Sequence, residues 1–346
     1  MNVTIEELDI CSISPSDRVM VDQVLERAPG ATVFHTIEWN EILTTEFGLQ
    51  TTMLLATVGG EPAGLFTFFT DGRQCESPIP RFESVYGGPI STGDERTVLA
   101  LLRQAERMNK GAHFSIWTPV HYDVSPLQRM GYTVRQDRTS ILNLQGSEEA
   151  LWTGLKATAR NRVRKARNAK IEVVEGDVSL VPEYYEMVLD TLATRAQIQA
   201  LPERFYEHVV QHLGAKGLAR FLLARQNGTY IGGAIFLCFK DTVYYWHGAS
   251  RRERPAIGHN DLIFWELITW AREHGFRYFD LVRIEEDRLP GIARFKLKFG
   301  GDMVAFHNLQ KATWEYRLWR VLRIAGDPRR LRTRILDRVA RIDHRD

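Results

Sequence analysis

The sequence predicts a mixed α/β (α+β) protein of two tandem domains, each built on a mostly antiparallel sheet flanked by helices. Three observations carry this expectation. The chain has 346 residues, about twice a typical domain of roughly 100–200 residues. Leu54-Leu55-Ala56, Gly60 and Gly64 recur as Leu222-Leu223-Ala224, Gly228 and Gly232, always 168 positions later. Around both copies the helix-like and strand-like segments come in the same order, as a duplicated unit requires.

Taken in order, each copy opens with two amphipathic segments. These read as helices over Pro15 to Ala28 and Thr36 to Phe47 in the first half, and over Pro182 to Arg195 and Pro202 to Leu213 in the second. A β-hairpin follows, because Val58-Gly59-Gly60-Glu61 and Gln226-Asn227-Gly228-Thr229 supply the glycines that tight turns between apolar strands need. A third strand ends in small residues, Val85-Tyr86-Gly87-Gly88 or Tyr244-Tyr245-Trp246-His247-Gly248. Next comes a helix marked by Val98, Leu101, Leu102, Ala105 and Met108, or by Ile263, Leu267, Trp270 and Ala271. Strands from His113 to Trp117 and from Tyr278 to Val282 close the copies. This element order is that of an acetyltransferase-like (GNAT-like) domain. The expected division is a first domain over 1–145, a second over 146–310 and a basic helical tail over 311–346. Ser147 followed by Glu148 and Glu149 marks the boundary, as an N-cap with an acidic first turn.

Composition narrows the class. An apolar fraction of 44% and a charged fraction of 25% are those of a globular protein. The longest apolar stretch, Ile231 to Phe239, is closed by Lys240 and Asp241, well short of the roughly 20 residues that cross a bilayer. Glu6, Glu7 and Asp9 stand where a signal peptide would be basic and then apolar, so a cytoplasmic location is expected. Cys11, Cys75 and Cys238 are widely spaced and read as core residues. His208 and His212 are four apart on a helix, but no Glu follows His208, and no metal site is assigned.

Net charge is only +2, yet it is unevenly spread. From Lys311 onward there are eleven basic and five acidic residues, with apolar residues at helical spacing that suit RNA, an anionic membrane surface or the protein body. A second basic run, Lys156, Arg160, Arg162, Arg164, Lys165, Arg167 and Lys170, has no acid within it. Arginines spread around such a helix suit a phosphate backbone, so Arg160, Arg162, Arg164, Lys165 and Arg167 are candidate tRNA contacts; a solvated helix is the plainer alternative.

Several segments in sequence order resemble the Fem family of peptidyltransferases, over nearly the whole chain up to about His307. They are Phe34-His35-Thr36-Ile37-Glu38-Trp39, Tyr86-Gly87-Gly88-Pro89, the basic run, Trp270-Ala271 to Gly275, and Tyr278-Phe279-Asp280 followed by Gly291, Phe295-Lys296 and Phe299-Gly300-Gly301. The resemblance implies a twin GNAT-like fold that moves an amino acid from aminoacyl-tRNA to an amine on a small molecule or peptide. The acceptor would lie in a cleft between the halves, with the donor's 3′ end near Phe295 and Lys296. Arg195 is the implied acceptor contact. Where relatives that bind nucleotide-linked cell-wall precursors carry a lysine this chain has Leu43, which points to a smaller acceptor.

The residues themselves set the chemistry. Aminolysis of an ester is downhill, so alignment and oxyanion stabilisation suffice. Lys296 is the candidate electrophile, Asp280 the candidate base or orienting group, and His247 a candidate proton relay. Tyr245 and Asn260 complete the candidate substrate contacts, at the strand end and in the following loop. That loop, Pro255-Ala256-Ile257-Gly258-His259-Asn260, keeps only Gly258 of the glycine-rich pattern that cradles a pyrophosphate. Coenzyme A is therefore disfavoured and no cofactor is expected. The alternative is an N-acyltransferase using acyl-coenzyme A, bound through Arg251, Arg252 and Arg254, or an acyl carrier protein.

Overall fold

In a computed structural model, the structure describes residues 2–93, 95–119, 123–193, 200–251, 257–312 and 316. Its strands are β1 (Val3–Leu8), β2 (Gln50–Val58), β3 (Glu61–Asp71), β4 (Gln74–Ser77), β5 (Ile90–Ser91), β6 (His113–Thr118) and β7 (Thr133–Asn143) in the first part of the chain. The second part adds β8 (Glu172–Glu175), β9 (Ala219–Gln226), β10 (Thr229–Phe239), β11 (Thr242–Ser250), β12 (Tyr278–Arg283) and β13 (Asp302–Ala312). All belong to one sheet, ordered β1-β2-β3-β4-β6-β13-β7-β12-β11-β10-β9-β8, with β5 on the side of β3.

The duplication is visible in the pairing. β2-β3-β4 and β9-β10-β11 are antiparallel meanders. Each passes through a helix, Glu95–Met108 or His259–Glu273, into a strand parallel to its last member: β4 with β6, and β11 with β12. The third strand of the first copy is β4, not the expected Val85 to Gly88. Gln74-Cys75-Glu76-Ser77 is too short and polar to stand out, whereas Val85–Gly88 is a loop hung on the end of β6 by Gly87 N–H donating to the Trp117 carbonyl at 2.7 Å.

The halves share their sheet. β13 lies between β6 and β7, antiparallel to both, and β7 reaches across to β12. One aromatic core joins them: Phe34, Trp39 and Tyr86 of the first half pack edge-on against Tyr244, Phe205 and Trp246 of the second. Leu43 is fully buried in that core. Cys75 and Cys238 are buried as expected, whereas Cys11 is exposed because it sits in a turn after β1. Lys311, assigned above to the tail, ends β13 paired with Glu106 at 2.7 Å. Ala312 completes β13, and the rest of the tail lies outside the described residues apart from Tyr316, which stacks on His113.

Candidate active site

The site forms where β11 and β12 part. They pair only over Thr242–Tyr244 with Tyr278–Asp280 and then diverge, leaving a wedge that side chains from both faces enter. Asp280 sits at its apex. It is 4% exposed, and every oxygen is engaged. Oδ2 accepts from the Tyr86 hydroxyl at 2.9 Å, while Oδ1 accepts from Val282 N–H at 2.7 Å and from the Thr139 hydroxyl of β7. Burial raises the carboxyl above its ordinary range, and these three donors work in the opposite direction.

Gly87 and Gly88 bring Tyr86 there. A Cβ on Gly87 would stand 2.6 Å from the Pro78 nitrogen, and Gly88 has φ +83° and donates to Ser77 Oγ. Only glycines let the loop lie this flat on the strand end.

The Asp280 carboxylate also holds a turn. Val282 has φ +51°, a left-handed conformation that a β-branched residue adopts at a cost of about 1–3 kcal/mol. The β12–β7 register breaks here, between Asp280 and Arg283. The Arg283 carbonyl at the end of the turn accepts from Lys296 Nζ at 2.9 Å.

Lys296 closes the helix Pro290–Lys296 and is 5% exposed. Its ammonium lies 5.4 Å from the Tyr245 ring centre. Burial brings its pKa down to about 8, against the pull of Asp280, Glu285 and Glu83. Phe295 packs edge-on against Phe264 and Phe299, with the Lys298 ammonium 4.1 Å from its ring. The Tyr245 hydroxyl lies over Gly248, where a Cβ would stand 2.5 Å away.

His247 points to the other face of β11, between two phenols. The Tyr184 hydroxyl is 2.7 Å from Nδ1 and the Tyr206 hydroxyl 3.4 Å from Nε2. These tyrosines come from the helices Val181–Leu192 and Glu203–His208. Glu83, at the end of the short Pro80–Phe82 turn, acts electrostatically on both phenols and on Lys296, so the first half contributes a carboxylate to this mouth.

Beyond the wedge, the helix His259–Glu273 presents its N-terminus, the place for an anion in this architecture. Asp261, in the first turn, is 4% exposed and lies 2.6 Å from Lys298 Nζ. Gly258 faces the Arg162 carbonyl so closely that a Cβ would stand 2.3 Å from it. Asn260 and His259 both engage Ser250 Oγ, at 2.9 and 3.1 Å.

The helix Ala157–Asn168 supplies that Arg162 carbonyl. It buries Ala159, Val163 and Ala166 against His259–Glu273 and turns its basic side chains outward. Arg160 donates to the carbonyls of Thr153 and Leu155, Arg164 lies 5.3 Å from the Trp152 ring, and Arg167 pairs with Glu266 at 3.1 Å. Arg162, Lys165 and Lys156 are exposed.

The structure thus gathers Lys296, Asp280, Tyr245, Phe295 and His247 around one strand opening, with Asn260 at its far side. Arg195 lies outside the described residues, as do Arg252 and Arg254. The expectations missed Tyr86, Thr139 and Glu83 as site residues. Only Tyr86-Gly87-Gly88 had a local signal, a glycine pair that forces close approach. His208 is 2.7 Å from Glu46 Oε1. Among the described residues no helix is long and apolar enough to cross a membrane.

Comparison with known proteins agrees with this fold. Residues 154–307 match the model of the acetyltransferase (GNAT) domain. The structure superposes on FemX with a TM-score of 0.71 at 15% identity, over 91% of this chain and 99% of that one. L-PGS from Bacillus licheniformis gives 0.56 at 12% identity, over 90% and 97%. A tandem GNAT protein from the clavulanic acid biosynthesis pathway gives 0.55 at 12% identity, over 89% and 98%. No curated protein matches the chain by sequence. The class so defined is a GNAT-type fold, with residues 154–307 carrying the acetyltransferase (GNAT) domain. Within it, this chain has the Fem-like tandem fold that its sequence led us to expect.

Proposed function

We propose that the protein is an aminoacyltransferase, moving an amino acid from aminoacyl-tRNA to the amine of a small-molecule or peptide acceptor. One observation carries the choice of donor. The first turn of the helix His259–Glu273 carries the buried Asp261 carboxylate, and Gly258 before it is closed off by the Arg162 carbonyl. A coenzyme A pyrophosphate placed there would meet the Arg162 carbonyl packed against Gly258, beside an Asp261 carboxylate already paired with Lys298 at 2.6 Å. The exposed cations of Ala157–Asn168 lie on the same side and offer a polyanion a surface outside that end.

In this reading the acyl ester enters the wedge between β11 and β12. Lys296 stabilises the oxyanion as the acceptor amine attacks the ester carbonyl; the C–O bond then breaks and the amine's proton passes to the departing 3′ oxygen, which leaves as the tRNA hydroxyl. Asp280 orients rather than reacts, since its oxygens are already filled. His247 and its two tyrosines form the wall from which a proton can be relayed. A cytoplasmic location and peripheral membrane contact through the basic tail belong to the same proposal.

A binding comparison tests the donor assignment. A fluorescent acceptor-stem RNA carrying an amino acid on a hydrolysis-resistant 3′ amide is titrated beside coenzyme A. Tight, salt-sensitive RNA binding that coenzyme A does not displace supports the reading. Displacement by micromolar coenzyme A sinks it.

A further inference from the structure

At the opposite end of β11 and β12 from the wedge lies a second opening between the two halves, a cleft of about 400 Å³. That volume is in the range of pockets that hold small ligands, roughly 300–1,000 Å³. Its walls are aromatic: Tyr86 and Tyr244, with ring centres 6.3 Å apart, and Phe239 and Tyr278. Its floor is the Asp280 carboxylate with the Tyr86 hydroxyl on it.

The charge in the lining is mostly negative, with the Arg277 guanidinium at the rim 5.3 Å from the Tyr278 ring centre. Asp241, Asp280 and Asp302 face a single ammonium, that of Lys240, which already donates to the Ala28 carbonyl at 3.0 Å. Asp302 is exposed and has no side-chain ion pair or hydrogen bond among the described residues. Asp241 accepts from Thr242 Oγ1 at 3.1 Å and has Arg277 only at 3.5 Å. Aromatic faces present negative potential and carboxylates at a cleft mouth add to it, so an anion is excluded and a cation with an apolar body is favoured.

We propose that this cleft binds a small organic cation, an ammonium group on an apolar body. The cation sits between Asp241 and Asp302, and its body lies against Tyr244, Tyr278 and Phe239. The cleft shares Asp280 and Tyr86 with the wedge but opens at the other end of the strands, so binding of a cation there can be measured with no acyl donor present.

Three shape-matched probes differing in charge test this by ligand-observed NMR on the full chain: benzylamine, benzyl alcohol and benzoate. Benzylamine alone should bind in the millimolar range or tighter. Asp241→Asn with Asp302→Asn should weaken it by roughly tenfold, because two charge-assisted contacts become neutral ones. Val304→Trp, which fills the cleft from β13, should abolish it, with the circular dichroism spectrum unchanged for either variant. Equal binding of benzyl alcohol or benzoate, benzylamine binding that ignores both variants, or no benzylamine binding up to about 10 mM would each overturn the proposal.

Discussion

The Tyr86 hydroxyl donates to Asp280 Oδ2 at 2.9 Å, across 194 positions of sequence. Through that bond a loop of the first half holds the carboxylate that shapes the turn at Val282 and so the carbonyl that anchors Lys296. The halves are therefore coupled at the candidate site itself.

Removing the coupling should be costly. Tyr86→Phe leaves a buried carboxylate short of one donor, and we expect a loss of about 1–3 kcal/mol in urea unfolding. Thr139→Val removes a second donor to the same group. The double variant should depart from the sum of the two, because they share a partner; strict additivity would show that Asp280 does not join them.

The buried ammonium of Lys296 makes a pH prediction. Its pKa is brought down to about 8, so it is charged below pH 8 and neutral above. If the cation stabilises the oxyanion, the transfer rate should fall tenfold per pH unit above that point. Lys296→Arg should move the falling limb upward, and Lys296→Met should leave a slow rate with no such limb. Stability should behave oppositely. The folded pKa lies below the ordinary 10.5, so the unfolded chain holds more protons between about pH 8 and 10.5 and stability rises with pH across that window.

The outward face of Ala157–Asn168 should be read by salt. Lys156→Ala with Lys165→Ala removes two exposed cations. The slope of log affinity for tRNA against log salt should become shallower by about one for each phosphate that no longer meets a cation. An unchanged slope would mean that this face is merely solvated.

Gly258 should tolerate nothing larger. With φ +94° and the Arg162 carbonyl 2.3 Å from where a Cβ would stand, Gly258→Ala should cost at least about 2 kcal/mol. It should also displace the basic helix. A neutral substitution would mean that this packing is not fixed.

Much of the fold was legible because it rests on local pattern. The turn glycines at Gly60 and Gly228, the Ser147 cap and the stripe through Leu101 and Leu102 all act over a few residues, and each element they predict is present. β7 and β13 were not seen. Their residues mix charged and apolar side chains, and their pairing joins positions far apart, Phe306 with Asp137 for example. The site divides the same way. Lys296 and Asp280 carried a family resemblance, whereas Thr139 and Glu83 reach the site only through strand order and a left-handed turn end.

The most direct test is transfer itself. Purified protein is incubated with a pool of tRNA charged with labelled amino acids and an extract of small metabolites, and label is followed into RNase-resistant amide products. The account predicts products that require charged tRNA and vanish with Lys296→Met. Products that form without RNA while acyl-coenzyme A is consumed would contradict it.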